Sequence, residues 1–86
     1  TLNLGVIYYN RAAEEMNAAN DLSDNRAYEA ARKKAEETFR QSMPFMERAH
    51  ELRPDDRMVL ETLKNLYYRF EMTDKYNEVD SILKGL

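Results

Sequence analysis

Eighty-six residues with no cysteine, two glycines, two prolines and a formal net charge of −3 suit one small domain and exclude disulfides and thiolate chemistry, leaving the compartment open. Frequent Ala, Glu, Lys, Arg, Leu and Met favour helix almost throughout. The acidic balance argues against nucleic acid or an anionic membrane surface as partner, and no apolar run approaches the roughly 20 residues that span a bilayer.

The chain opens at Thr1-Leu2-Asn3-Leu4, already inside an amphipathic pattern, and so reads as a piece of something longer. Leu4, Ile7, Tyr8, Ala12, Met16 and Ala19 recur at helical spacing, predicting a first helix over residues 2–19 with those side chains inward. Residues 20–25 are polar, aperiodic and rich in turn and cap formers. A second helix is expected from near Asn25, capped by Ser23 or Asp24, to about Leu52. Its inward stripe is Tyr28, Ala31, Ala35, Phe39, Met43, Met46 and Ala49. Pro44 interrupts it: either the helix kinks near residues 40–43 or two helices meet there, and the unbroken stripe favours a kink.

Pro54 then stops the chain's second helical run, and Asp55 or Asp56 can cap a third. That helix carries Val59/Leu60, Leu63, Leu66/Tyr67 and Phe70 on its core side. Thr73-Asp74 supplies a cap for a short fourth helix with Tyr76, Val79, Leu83 and Leu86. Four helices with short connections pack as antiparallel neighbours, so the expected fold is all-α, built from helical hairpins.

The residues between these signals resemble the tetratricopeptide repeat, whose units place a Leu-Gly pair and a Tyr on one helix, then Ala and an aromatic on the next, and close in Pro. Leu4-Gly5 with Tyr8 fits the first helix of a unit, and Met46, Ala49 and Pro54 fit its second. A second copy follows in Leu60, Leu63, Tyr67, Tyr76 and Val79, with Lys64 standing where a small glycine is expected. The first unit is roughly 25 residues longer than the family's repeat length, and both flanking helical patterns continue into the extra stretch. The resemblance therefore implies a fragment of an α-solenoid: one domain over 1–86, with 1–54 a first unit whose hairpin is elongated and protrudes, and 55–86 a second unit.

In that family the first helix of each unit lines a groove that receives a peptide or a partner's helix. Carried over, the resemblance implies a groove of Val6, Tyr9 and Asn10 from the first helix with Met58, Glu61, Asn65, Tyr68 and Arg69 from the third. Helical geometry independently turns the latter away from the Leu60/Leu63/Tyr67 stripe. Asn10 and Asn65 can bond a peptide backbone, and Tyr68 and Arg69 are residue types enriched at binding hot spots. Some family members grip a terminal carboxylate with Lys, Arg and Asn; Met58, Glu61 and Thr62 stand where positive charge would be required, which argues against that specialisation.

Other chemistry is weakly supported. Arg32-Lys33-Lys34 lies one turn from Glu29, Glu36 and Glu37 and reads as a solvated, salt-bridged face. Asp21, Ser23 and Asn25 imitate a calcium loop, but Arg26 replaces the required glycine and Arg32 the bidentate glutamate. His50 is the only histidine, sits between Glu47 and Glu51 and is expected at the surface; no zinc set or nucleophile–base pair can be assembled around it. The expectation is a non-catalytic binding module, without cofactor or metal, for a protein or peptide. The alternative is a capping or self-associating segment of its parent, with the Val79/Leu83 face at an exposed array end.

Overall fold

Four helices account for nearly all of the chain: α1 (Leu2–Asn20), α2 (Asn25–Leu52), α3 (Arg57–Arg69) and α4 (Thr73–Lys84). The computed structural model describes residues 2–86, Thr1 lying outside them, and no strand occurs among the described residues. Gly5 meets Met46, Tyr8 stacks on Phe45 at 5.6 Å and Lys34 reaches Glu15 at 3.6 Å, so α1 and α2 run antiparallel. Arg69 lies over Phe39 and Tyr67 bonds Glu47, which sets α3 antiparallel to α2. Lys64–Asp80 and Tyr68–Tyr76 do the same for α3 and α4.

Small residues dictate how α1 meets α2. Gly5, Ala12 and Ala19 are seven apart and all buried, as are Ala35, Ser42 and Ala49 on the facing helix. Side chains this small let two backbones approach closely, and the seven-residue repeat holds the seam in register along the hairpin. Buried Ser42 satisfies its own hydroxyl by donating to the Phe39 carbonyl at 2.6 Å. That seam keeps Ala12, Met16 and Ala19 inward as expected and corrects the stripe at Leu4 and Ile7. Leu4 and Ile7 are 47% and 54% exposed, while Val6, Tyr9, Ala13 and Met16 pack against the core. The helix is rotated toward its Gly/Ala edge because close approach there buries more than Leu4 and Ile7 could reach across a wider gap.

α2 runs through Pro44 as one helix, which excludes two helices meeting there. Pro44 lies on the exposed side with Arg40 and Gln41, where a carbonyl deprived of its helical donor can turn to water. At 28 residues α2 is about 42 Å long, whereas α3 has 13 residues and is about 20 Å long. Since α3 ends beside Phe39 and Arg40, the far half of the α1–α2 hairpin protrudes, giving extents of 44 × 24 × 16 Å.

The caps follow the acidic residues. Asp24 accepts from the Arg26 N–H at 2.9 Å, and Asp56 from the Val59 N–H at 3.2 Å. The expected Thr73-Asp74 cap is corrected: Met72 is the N-cap, without a side-chain bond, and Thr73 is already helical. The reason is the brevity of the α3–α4 turn. Met72 N–H bonds the Tyr67 carbonyl at 2.8 Å and Glu71 N–H the Tyr68 carbonyl at 3.2 Å, a complete Schellman closure that leads straight into α4. Glu71 occupies its left-handed position with φ 56°, where glycine is favoured. Glu71→Gly is therefore expected to stabilise the fold by about 1 kcal/mol, seen as a higher denaturant midpoint with an unchanged slope.

Ala12, Phe39, Met46, Ala49, Val59, Leu60, Leu63, Leu66, Tyr67 and Val79 form the core. Val79, expected at an exposed array end, is only 4% exposed, because α4 lays it against α3; Leu83 is half-buried. His50, expected at the surface, is half-buried too, with Nδ1 lacking a partner among the described residues.

Candidate binding groove

Residues 65, 68 and 69 are three and four apart, so they share one face of α3, turned away from Leu63 and Leu66. The same face looks toward α1 and the middle of α2. Tyr9, Glu36, Asn65, Tyr68, Arg69 and Glu71 enclose a hollow of about 580 Å³ there. Asn65 Nδ2 donates to Tyr9 Oη at 3.3 Å, tying α3 to α1 across it. The Tyr9 ring meets Phe39 edge-on at 5.4 Å, and the Arg69 guanidinium covers the Phe39 face at 4.1 Å. Cation–ring contacts of this kind stabilise by roughly 0.5–2 kcal/mol. Asn65 and Arg69 thus hold the walls together, while Tyr68, 75% exposed, stands at the rim with its ring against Tyr76.

The eight expected groove residues divide accordingly. Tyr9, Asn65, Tyr68 and Arg69 surround the one hollow. Glu61 lines a neighbouring hollow of about 460 Å³ between α3 and α4, which Asn65 also borders. Asn10 and Met58 are exposed but line neither hollow. Val6 is corrected: it is half-buried and packs against the core, a consequence of the rotation of α1 toward its glycine and alanines. Glu36 and Glu71 were not foreseen. Glu36 lies in the stretch that exceeds the repeat pattern, although its place three residues before Phe39 puts it beside the core stripe. Glu71 carries no periodic signal because it sits in a turn.

Charge around the groove is mixed and largely paired. Arg32 bridges Glu29 at 3.2 Å and Glu36 at 2.7 Å, in keeping with the salt-bridged face expected there. Glu47 accepts from Tyr67 Oη at 2.7 Å and from Lys75 at 3.4 Å, linking α2, α3 and α4. Burial pushes the Tyr67 phenol well above its ordinary range, and the bond to Glu47 adds to the shift.

Lys64, where the repeat pattern has glycine, fills its position by pairing with Asp80 at 2.9 Å; Lys84 holds the other oxygen at 3.0 Å. Lys64 chiefly, then Lys84, hold the Asp80 carboxyl below the usual carboxylate range. A carboxyl depressed in the folded state stabilises above its unfolded value and loses that contribution as pH falls from about 4 through the folded value. Wild type and Asp80→Asn should accordingly differ in unfolding midpoint at neutral pH and converge under strong acid.

Among the described residues no three His, Cys, Asp or Glu converge as a metal site requires. Compared with protein-family models, curated proteins and solved structures, the chain matches none.

Proposed function

We propose that the chain is a binding module of tetratricopeptide-like helical hairpins that presents the α1/α3 groove to a peptide or partner helix and performs no chemistry of its own. One observation carries this. Residues 56 positions apart, Tyr9 and Asn65, close a hollow with two further side chains of the expected groove, Tyr68 and Arg69. The walls are fixed in advance by the Tyr9–Asn65 bond and the Arg69–Phe39 contact, so little ordering entropy is lost on association. Glu71, which makes no ion pair among the described residues, gives the rim a negative charge for a ligand to meet. No helix of the described residues is long and apolar enough to cross a membrane, which suits a module that meets its partner outside the bilayer.

Tyr68 gives the cleanest test, because Asn65 and Arg69 also support the fold. Selection from a displayed peptide library against the wild-type chain should enrich ligands that Tyr68→Ala binds at least tenfold more weakly with its melting temperature retained. Ligands indifferent to Tyr68→Ala would count against the groove.

A second reading, self-association, is favoured by the exposed Leu4 and Ile7 beside the stacked Tyr8 and Phe45. It locates the contact on the outer face of α1, since Val79 is buried. Sedimentation equilibrium of wild type against Ile7→Glu separates the two: a wild-type dimer dissociated by the substitution supports this reading, and a monomer in both cases removes it.

A further inference from the structure

The α3–α4 turn keeps a glutamate where a glycine would fit better. Glu71 takes φ 56° in a closure whose other members, the Tyr67 and Tyr68 carbonyls, are held by ordinary backbone bonds. Residues held in such sparsely populated backbone regions cluster at ligand clamps and switch segments. The Glu71 side chain is exposed and, among the described residues, makes no ion pair. It borders the groove on one side and, on the other, a recess of about 310 Å³ walled by Tyr67, Tyr68, Met72 and Tyr76.

We infer that this recess is a receptor for a cationic side chain, an arginine of the partner segment that occupies the groove. The inference rests on the binding reading above and supplies its anchor. Tyr68 and Tyr76 present rings 6.0 Å apart and tilted by 50°, with nearly buried Tyr67 as a third wall. The negative faces of such rings attract cations, and a carboxylate at the mouth completes the complementarity. The chain's own cations show that these rings accept charge: Lys64 lies 5.6 Å from the Tyr76 ring and Lys75 5.8 Å from that of Tyr67. Both are already committed to carboxylates, Lys64 to Asp80 and Lys75 to Glu47, and Arg69 to the Phe39 ring, which leaves Glu71 for an incoming charge. Arginine is favoured because its planar guanidinium stacks on a ring while bonding a carboxylate in bidentate fashion.

The test titrates the 15N-labelled chain with the blocked tripeptide Gly-Arg-Gly and with its citrulline analogue, which keeps the shape and lacks the charge. The arginine peptide should shift the amides of Tyr68, Glu71, Met72 and Asn77 saturably, and the citrulline peptide should bind at least tenfold more weakly. Glu71→Gly should also lose at least tenfold while melting no lower than wild type, so unfolding cannot explain the loss. Absence of saturable shifts, equal binding of the two peptides, or wild-type affinity in Glu71→Gly overturns the arginine site. In any of those cases a library-selected ligand that still shifts Tyr9 and Asn65 leaves the groove standing, and one that shifts neither removes the groove as well.

Discussion

Leu63→Ala is expected to lower the unfolding free energy by about 3 kcal/mol. Leu63 is fully buried on the inner face of α3, between Leu60 and Leu66, which are equally inaccessible. Removing its isobutyl group loses the transfer energy of the buried atoms and leaves a cavity that the neighbouring helices fill only in part. A chain of this length commands about 5 kcal/mol in total, so more than half of its stability would disappear. The melting temperature followed by far-ultraviolet circular dichroism should fall by roughly 15 °C. Since α3 carries Asn65, Tyr68 and Arg69, groove binding should weaken in parallel with the folded fraction. A loss below about 1 kcal/mol would mean that α3 does not pack as described.

Gly5→Leu should cost nearly as much, about 3 kcal/mol, for the opposite reason. A Cβ on Gly5 would lie 2.5 Å from Met46 Sδ and 3.2 Å from both Met46 Cγ and Phe45 Cβ. Met46 is fully buried, so its thioether can yield only by displacing the packed neighbours around it. Gly5→Ala pits a helix-propensity gain of about 1 kcal/mol against overpacking of about 1–3 kcal/mol, giving a net loss of about 1 kcal/mol. Gly85 supplies the control: a Cβ there would meet the Ile82 and Ser81 carbonyls at an ordinary 3.5 and 3.7 Å. Gly85→Ala should therefore shift stability by no more than about 0.5 kcal/mol. Chemical denaturation of the three variants reads all of these effects. Equal tolerance at positions 5 and 85 would remove the close α1–α2 seam.

Helix number and most helix limits, the start of α4 excepted, were legible because their signals are local. Pro54 and the Asp24 and Asp56 caps act within a turn of their own positions, and they mark the ends of α2 and the starts of α2 and α3. The core face of α3 was legible as well, since Leu60, Leu63 and Tyr67 give one unambiguous stripe. α1 was legible only in part. Its expected stripe joined Leu4 and Ile7 to Ala12, Met16 and Ala19; the alanines and Met16 turn inward as expected, with small Gly5 beside them, while Leu4 and Ile7 do not. The small ones prevailed because their value lies in backbone approach to a matching repeat on α2. Hydrophobicity along one helix cannot report that. The same rotation drew Val6 out of the expected groove while leaving Tyr9 in it. Glu71 lay beyond reach because only the closed α3–α4 turn shows that a residue without glycine's freedom holds a left-handed position. Its neighbours Tyr67, Tyr68 and Tyr76 come together only when α4 folds back on α3.

The central claim is that a partner segment occupies the hollow between α1 and α3. Amide chemical-shift mapping of the 15N-labelled chain with a library-selected ligand tests it most directly. The expected result is saturable shifts clustered at Tyr9, Asn65, Tyr68 and Arg69, with Leu4 and Ile7 unmoved. Shifts confined to Leu4, Ile7 and Tyr8, or dependent on protein concentration and not on ligand, would contradict it and assign the molecule's exposed apolar face to self-association.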